Sequence, residues 1–205
     1  MNQKIKIEIG SNSGKDTAKL LSNECLTIGF EPNPILYSKL IEKFKEDDRV
    51  IFLPIAIDVS NTIKDFNVST QGDMGFGSLY DFHDNLKNTE IGNHEYFKIP
   101  FEFKQKVLTM RLDSFIINFL NSEISIEYLW IDSQGSDFNC LLSLGNYIHY
   151  VKEGRCECTY KIPLYKDVEN SYEKVKEFLE NHNFGVETID IHKHESEIDL
   201  RFWKK

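Results

Sequence analysis

Apolar residues in this chain come in short dense runs separated by amphipathic stretches, and that alternation predicts an α/β protein. Lys4 to Ile9 alternates charged residues with isoleucine and reads as a strand, followed by a helix from about Gly14 to Ser22. Leu26 to Phe30 predicts a second strand, and Pro34 to about Lys45 a second helix. Val50 to Ile57 is nearly all apolar and reads as one continuous third strand, of the kind found in sheets covered on both faces. Ile126 to Ile131 predicts a fourth strand, Phe138 to Leu144 a helix, and the stretch between Ile148 and Thr159 a fifth strand. From Ser171 to Asn181, residues Tyr172, Val175, Phe178 and Leu179 fall at helical spacing. The last two runs, Gly185 to Ile191 and Glu197 to Trp203, are close enough to pair as an antiparallel hairpin at the sheet edge.

The stretch from about Asp58 to Lys106 shows neither period, except that Phe97 to Leu108 alternates enough for a strand or hairpin arm. It holds Gly72, Gly75 and Gly77 among polar and aromatic residues, followed by His83 and His94. Long irregular segments inside compact domains are usually lids or binding loops, so a substrate is expected to meet residues 70–106.

Composition narrows the class. A chain of 205 residues fits one α/β core, so residues 1–205 are read as a single domain. No apolar run approaches the roughly 20 residues that span a bilayer, and the charged amino end lacks a signal peptide's apolar stretch. The expected setting is therefore the cytoplasm, with no membrane partner. The net charge of −9 disfavours nucleic acid as a partner, because phosphate backbones are met by clustered lysine and arginine. Cys25, Cys140, Cys156 and Cys158 show no zinc spacing and read as buried free thiols, with Cys156 and Cys158 on one face of a strand.

The chemistry begins at Gly10-Ser11-Asn12-Ser13-Gly14, a glycine turn directly after the first strand. A P-loop needs four residues between its glycines and then Lys-Ser/Thr; here three intervene, and Asp16 stands in the hydroxyl position. The dinucleotide fingerprint fails too, since Asn12 occupies its middle glycine. Glu8 and Asp16 bracket the turn, and two carboxylates disfavour a phosphate while suiting an adenosyl compound that carries a positive charge. S-adenosylmethionine is the simplest such ligand. Glu31, at the end of the second strand and about twenty residues past the turn, stands where nucleoside-binding α/β folds grip the ribose hydroxyls.

A second constellation follows the fourth strand: Asp132-Ser133-Gln134-Gly135-Ser136-Asp137. Ligands of open α/β sheets collect at the carboxyl ends of the strands, so Asp132 should face the same crevice as Gly10 and Glu31. It could accept a proton, anchor a divalent ion, hold an amino group, or simply cap the next helix. Asp137 lies where a helix start favours a carboxylate. Glu157, a charge inside an apolar strand, needs a partner or a role.

In order and spacing, the segments Ile7 to Asp16, Gly29 to Asn33, Phe52 to Ile57, Ser78-Leu79, Leu112 to Phe115, Ile131 to Asp137, and Leu164-Tyr165 ahead of the helix ending at Asn183-Phe184 resemble the FkbM-type methyltransferases. The resemblance covers nearly the whole chain. It implies a class I methyltransferase fold, a Rossmann-like, seven-stranded and mostly parallel sheet with helices on both faces and a terminal antiparallel hairpin. It also implies S-adenosylmethionine as donor and O-methylation of hydroxyls on sugars, glycans or related metabolites.

Carried over by residue, Glu8, Gly10, Ser11, Asn12 and Gly14 resemble the donor-binding turn, and Glu31, followed by Pro32 and Asn33, the ribose acid. Ala56 and Ile57 fall where the adenine is flanked, Ser78 where a loop serine approaches the donor, and Asp132 beside the transferred methyl. Asp132 is thus the expected catalytic residue, with Ser78, His83, Gln134 and Glu157 expected on the acceptor side. Any divalent metal would fall to Asp132 and Asp137; whether one is used stays open. The sequence departs from the family at Gln134, where an acidic residue is common, and a neutral amide serves neither as base nor as ionised metal ligand. The chain also starts almost at its first strand, without the upstream helix many relatives carry, as a domain of a longer polypeptide would. Two other readings remain: a nicotinamide-dependent oxidoreductase, and a catalytically silent nucleoside-binding module.

Overall fold

The computed structural model describes residues 3–70, 74–84, 103–120, 123–191 and 196–205. Seven strands form the main sheet in the order β3-β2-β1-β7-β8-β10-β9. They are β1 (Gln3–Ile9), β2 (Leu26–Phe30), β3 (Val50–Leu53), β7 (Ile124–Ile131), β8 (Glu153–Thr159), β9 (Phe184–Ile191) and β10 (Glu197–Lys204). The pairs from β3 through β8 are parallel, while β10 runs antiparallel to both β8 and β9. The terminal hairpin therefore closes the edge as expected.

The third strand departs from its prediction. The run from Val50 to Ile57 breaks at Pro54, which has no N–H to give a ladder. β3 stays in the main sheet, whereas β4 (Ile55–Ile57) leaves for a second, three-stranded sheet of order β4-β6-β5. In that sheet β5 (Thr62–Val68) pairs antiparallel with β6 (Phe103–Met110), so the interval predicted to be irregular begins with a strand. The alternating arm ends as predicted near Leu108, but residues 97–102 lie outside those described.

Helices flank the main sheet unequally. α3 (Leu112–Phe119), α4 (Asp137–Ser143) and α5 (Tyr172–Asn181) bury one face, where Phe115, Ile116, Leu141, Val175 and Leu179 pack on Ile5, Ile7, Ile28, Leu129 and Ile131. α5 forms because its apolar residues fall three and four apart, and Val175 and Leu179 are fully buried. On the other face α2 (Pro34–Lys43) sets Leu40 against Val50 and Phe52. α2 starts where Asn33 Oδ1 accepts from the Ile35 N–H and Pro34 fills the first helical position. The first helix, α1 (Thr17–Leu20), is shorter than the nine-residue prediction because the glycine turn and Asp16 consume its first residues. Over β7 and β8 this second face carries Trp130, with Arg155 stacked at 4.8 Å and Lys19 at 5.7 Å.

Cys140, Cys156 and Cys158 are buried free thiols, but Cys25 is only half-buried. Among the described residues no helix is long and apolar enough to cross a membrane.

Candidate active site

The chain reverses its direction of growth at β1: it builds outward through β2 and β3, then returns to place β7 on the other side. The carboxyl ends of strands beside such a switch point leave a crevice for ligands. Register sets the three ends level, with Ile9 opposite both Phe30 and Ile131. The turns that follow β1, β2 and β7 thus meet around a cavity of about 300 Å³. Gly10 and Asn12 line it from the first turn, Glu31, Pro32 and Asn33 from the second, and Asp132, Ser133, Gln134 and Ser136 from the third. Ala56, Ile57, Leu36 and Phe66 add apolar wall, as do Met74, Phe76 and Leu79 from the described part of the loop. Glu157 of β8 and Glu197 of β10 complete the acidic side.

Gly10 is a glycine by necessity. Its φ is +84°, and a Cβ there would lie 1.8 Å from the Asp132 carbonyl oxygen. Two turns therefore pass in contact, which brings Asn12 and Asp132 to one cavity. The Asp132 N–H donates to the Ile9 carbonyl at 3.0 Å, fixing the base of that residue to the sheet.

Glu31 is 4% exposed and held by two backbone donors, Asn12 N–H to Oε2 and Asn33 N–H to Oε1, each at 2.8 Å. Burial lifts its carboxyl to about 7, against the lowering effect of those donors. An ionised carboxylate has about four acceptor positions, so two N–H groups leave capacity for a pair of hydroxyls. Asn12 Oδ1 is buried without a protein partner. An acid that can grip a diol, an orphaned amide oxygen and an apolar wall fit a positively charged nucleoside, so the residues present suit S-adenosylmethionine.

Gln134 joins the acids. Its Nε2 donates to Asp132 Oδ1 at 2.9 Å and to Glu157 Oε2 at 3.3 Å, while its Oε1 accepts from the Tyr165 hydroxyl at 2.8 Å. Burial, reinforced by the charge of Asp132 and Glu197, pushes the Glu157 carboxyl well up. Burial raises the Tyr165 hydroxyl in the same way.

Other candidates lie off the cavity. Glu8 sits behind the first turn, fully buried, where its Oε2 accepts from the Thr17 hydroxyl and burial lifts it to about 7. Asp16 pairs with Lys19 at the surface. The acids that bracket the turn in sequence are thus not those that line the cavity; Glu31, Asp132, Glu157 and Glu197 are. Ser11 is buried against Gly29, and Gly14 packs on Leu40 and Phe44. Ser78 Oγ donates to the Gln134 carbonyl at 2.7 Å, so it braces the third turn. His83 gives its N–H to the Leu164 carbonyl at 2.8 Å and is not among the lining residues. Gly72 and His94 lie outside the described residues.

Asp137 is fully buried and turned inward, accepting from Ser133 N–H (2.7 Å), Gly135 N–H (3.2 Å) and Asn170 Nδ2 (3.0 Å). Burial and then the charge of Asp132 raise it to about 7. Among the described residues no group of three or more His, Cys, Asp or Glu side chains is arranged to hold a metal ion. Sequence reasoning missed Glu197, Tyr165 as a hydrogen-bonding group, and Asn170; they stand 30 or more residues from the turn they serve, and no local motif marks them.

Solved structures share the architecture. A candidate rRNA-methylase from Clostridium thermocellum superposes with a TM-score of 0.50 at 12% identity, over 98% of this chain and 86% of that one. Precorrin-6y C5,15-methyltransferase from Geobacter metallireducens gives 0.47 at 13% identity, over 99% and 81%. At such identities the first likeness establishes the fold alone, that of the class I methyltransferases. No curated protein matches the chain by sequence. The family model of the methyltransferase FkbM domain, however, matches residues 8–191. This chain belongs to the FkbM methyltransferase domain family.

Proposed function

We propose that the chain transfers a methyl group to a hydroxyl of a sugar, glycan or related metabolite, with Asp132 taking up the hydroxyl proton. The observation that carries this reading is the position of Asp132, on the cavity between the donor-side acid Glu31 and the polar group Gln134–Glu157. When bound, S-adenosylmethionine supplies a methyl already activated by its positive sulfur. Glu31 would hold the ribose hydroxyls, Gly10 and Asn12 would border the donor, and Ala56 and Ile57 would flank the base. Asp132 then needs only to orient the attacking hydroxyl and accept its proton, since alignment within contact distance supplies most of the rate.

Several features support a hydroxyl-rich acceptor. Ser133, Ser136 and Glu197 offer donors and acceptors in the same cavity, and a Glu157 carboxyl raised by burial can donate as well as accept. The net charge of −9 favours a small-molecule or glycan acceptor over nucleic acid. Free thiols at all four cysteines accord with the reducing cytoplasm.

The test is a panel of monosaccharides, methyl glycosides and nucleotide sugars incubated with labelled S-adenosylmethionine. Label should enter a hydroxyl-bearing compound, and Asp132→Asn should abolish transfer while S-adenosylhomocysteine still binds. At about a hundred times its dissociation constant that ligand adds roughly 2.7 kcal/mol of stability, so it should raise the melting midpoint where NAD does not. Unaltered transfer by Asp132→Asn removes this residue from the chemistry.

A further inference from the structure

We propose that Gln134 and Tyr165 form a clamp that positions the Asp132 carboxylate, with Tyr165 acting only through Gln134; the inference rests on the reading of Asp132 as the proton acceptor. Gln134 is an unusual residue for its place. It holds φ at +54°, a left-handed conformation that side-chain-bearing residues rarely adopt, in the turn between β7 and α4. Ser78 Oγ fixes its carbonyl at 2.7 Å. The turn then passes so close to Tyr165 that a Cβ on Gly135 would lie 2.6 Å from the ring.

The partners of Gln134 orient its side chain. Its Oε1 accepts from the Tyr165 hydroxyl at 2.8 Å, which leaves Nε2 toward Asp132 Oδ1 at 2.9 Å and Glu157 Oε2 at 3.3 Å. A flipped amide would turn its oxygen toward the Asp132 carboxylate and leave the Tyr165 O–H without this acceptor. Both N–H donors of the amide are thus spent on the protein. Gln134 is suited to hold Asp132 rather than to contact the acceptor. A glutamate here would add a third acid between two others, so the neutral amide is the residue that can bridge them.

Tyr165 is itself anchored. Its ring stacks on Phe82 at 5.4 Å between centroids, and His83 N–H bonds the neighbouring Leu164 carbonyl at 2.8 Å. The segment that lines the cavity with Met74 and Leu79 is therefore tied to both halves of the clamp, to Gln134 through Ser78 and to Tyr165 through Phe82.

The experiment compares Gln134→Met, Tyr165→Phe and the double variant in the full chain. The side-chain carboxyl ¹³C resonance of Asp132, identified by its loss in Asp132→Asn, reports the clamp without any acceptor. Tyr165→Phe should move that resonance in the same direction as Gln134→Met, because the Tyr165 hydroxyl bonds the amide that donates to Asp132, and the double variant should match Gln134→Met alone. S-adenosylhomocysteine affinity should stay within about twofold in all three. With the acceptor chosen from the panel above, kcat should fall on the order of 10- to 100-fold in Gln134→Met, with the donor KM unchanged. An Asp132 resonance that ignores Tyr165→Phe, or additive effects in the double variant, overturns the clamp. Failure of S-adenosylhomocysteine to bind wild type would instead overturn the donor site beneath it.

Discussion

In the proposed reading Glu31 serves donor recognition, and its burial carries a cost to the fold. Its carboxyl is raised from 4.5 to about 7 in the folded protein. Below about pH 4.5 both folded and unfolded chains carry the proton, and the residue costs nothing by this route. As pH rises the unfolded chain ionises first, so its free energy falls relative to the fold, and the penalty grows until the folded group ionises near 7. Linkage with those two values gives a penalty of about 1 kcal/mol at pH 5 and about 3 kcal/mol at pH 8. Glu31→Gln abolishes this titration. Measured by urea unfolding, the stability of Glu31→Gln relative to wild type should therefore improve by about 2 kcal/mol between pH 5 and pH 8.

The comparison isolates one group. An amide has a single acceptor oxygen for the two N–H groups of Asn12 and Asn33, so about 1 kcal/mol is lost, but equally at both pH values. Asp137, also raised to about 7, titrates in both proteins and cancels, while Glu8, raised mainly by its own burial, loses only the smallest contribution to its shift, that of Glu31. A change in relative stability below about 0.5 kcal/mol would refute the assignment of a raised carboxyl to Glu31. The same variant should bind S-adenosylhomocysteine about 10- to 100-fold more weakly, because hydrogen bonds from hydroxyls to a charged acceptor are lost.

Gly10→Ala forces a left-handed alanine and drives a methyl to 1.8 Å from a backbone carbonyl, so it should cost about 2–5 kcal/mol in urea unfolding. Arg155→Met strips Asp199, 5% exposed, of its guanidinium and should destabilise by about 3 kcal/mol; Arg155→Met with Asp199→Leu should recover most of that. Asn170→Leu removes the Nδ2 donor to Asp137 and the Oδ1 acceptor of the Phe138 N–H, and thermal melts should show a loss of about 1–3 kcal/mol.

Much of the sheet was legible because its strands are dense in isoleucine, valine and phenylalanine, bounded by glycine turns. Where it was not, the reason is local. The apolar character of Val50 to Ile57 hides the consequence of Pro54, since composition does not register a missing N–H. β5 reads Thr-Ile-Lys-Asp-Phe-Asn-Val, with exposed Thr62 and Ile63 at one end and buried Phe66, Asn67 and Val68 at the other, so no alternation marks it. Within the site, Glu31 and Asp132 could be found because each ends a strand. Tyr165 and Glu197 could not be assigned, because only the folded topology carries them to Gln134 and the cavity.

The misplacement of Glu8 in sequence reasoning shows how the site is built. Four carboxyls at this end of the sheet are raised by burial: Glu8, Glu31, Asp137 and Glu157. Only Glu31 and Glu157 line the cavity. Glu8 lies behind the first turn, tied to Thr17, and Asp137 behind the third, where it gathers the N–H groups of Ser133 and Gly135. Each inner acid therefore supports a turn that presents a cavity residue, Glu8 the turn of Gly10 and Asn12, Asp137 the turn of Gln134. Acidity near a glycine turn thus has two physical uses, support and ligand contact, and which one applies depends on the side of the sheet a residue faces.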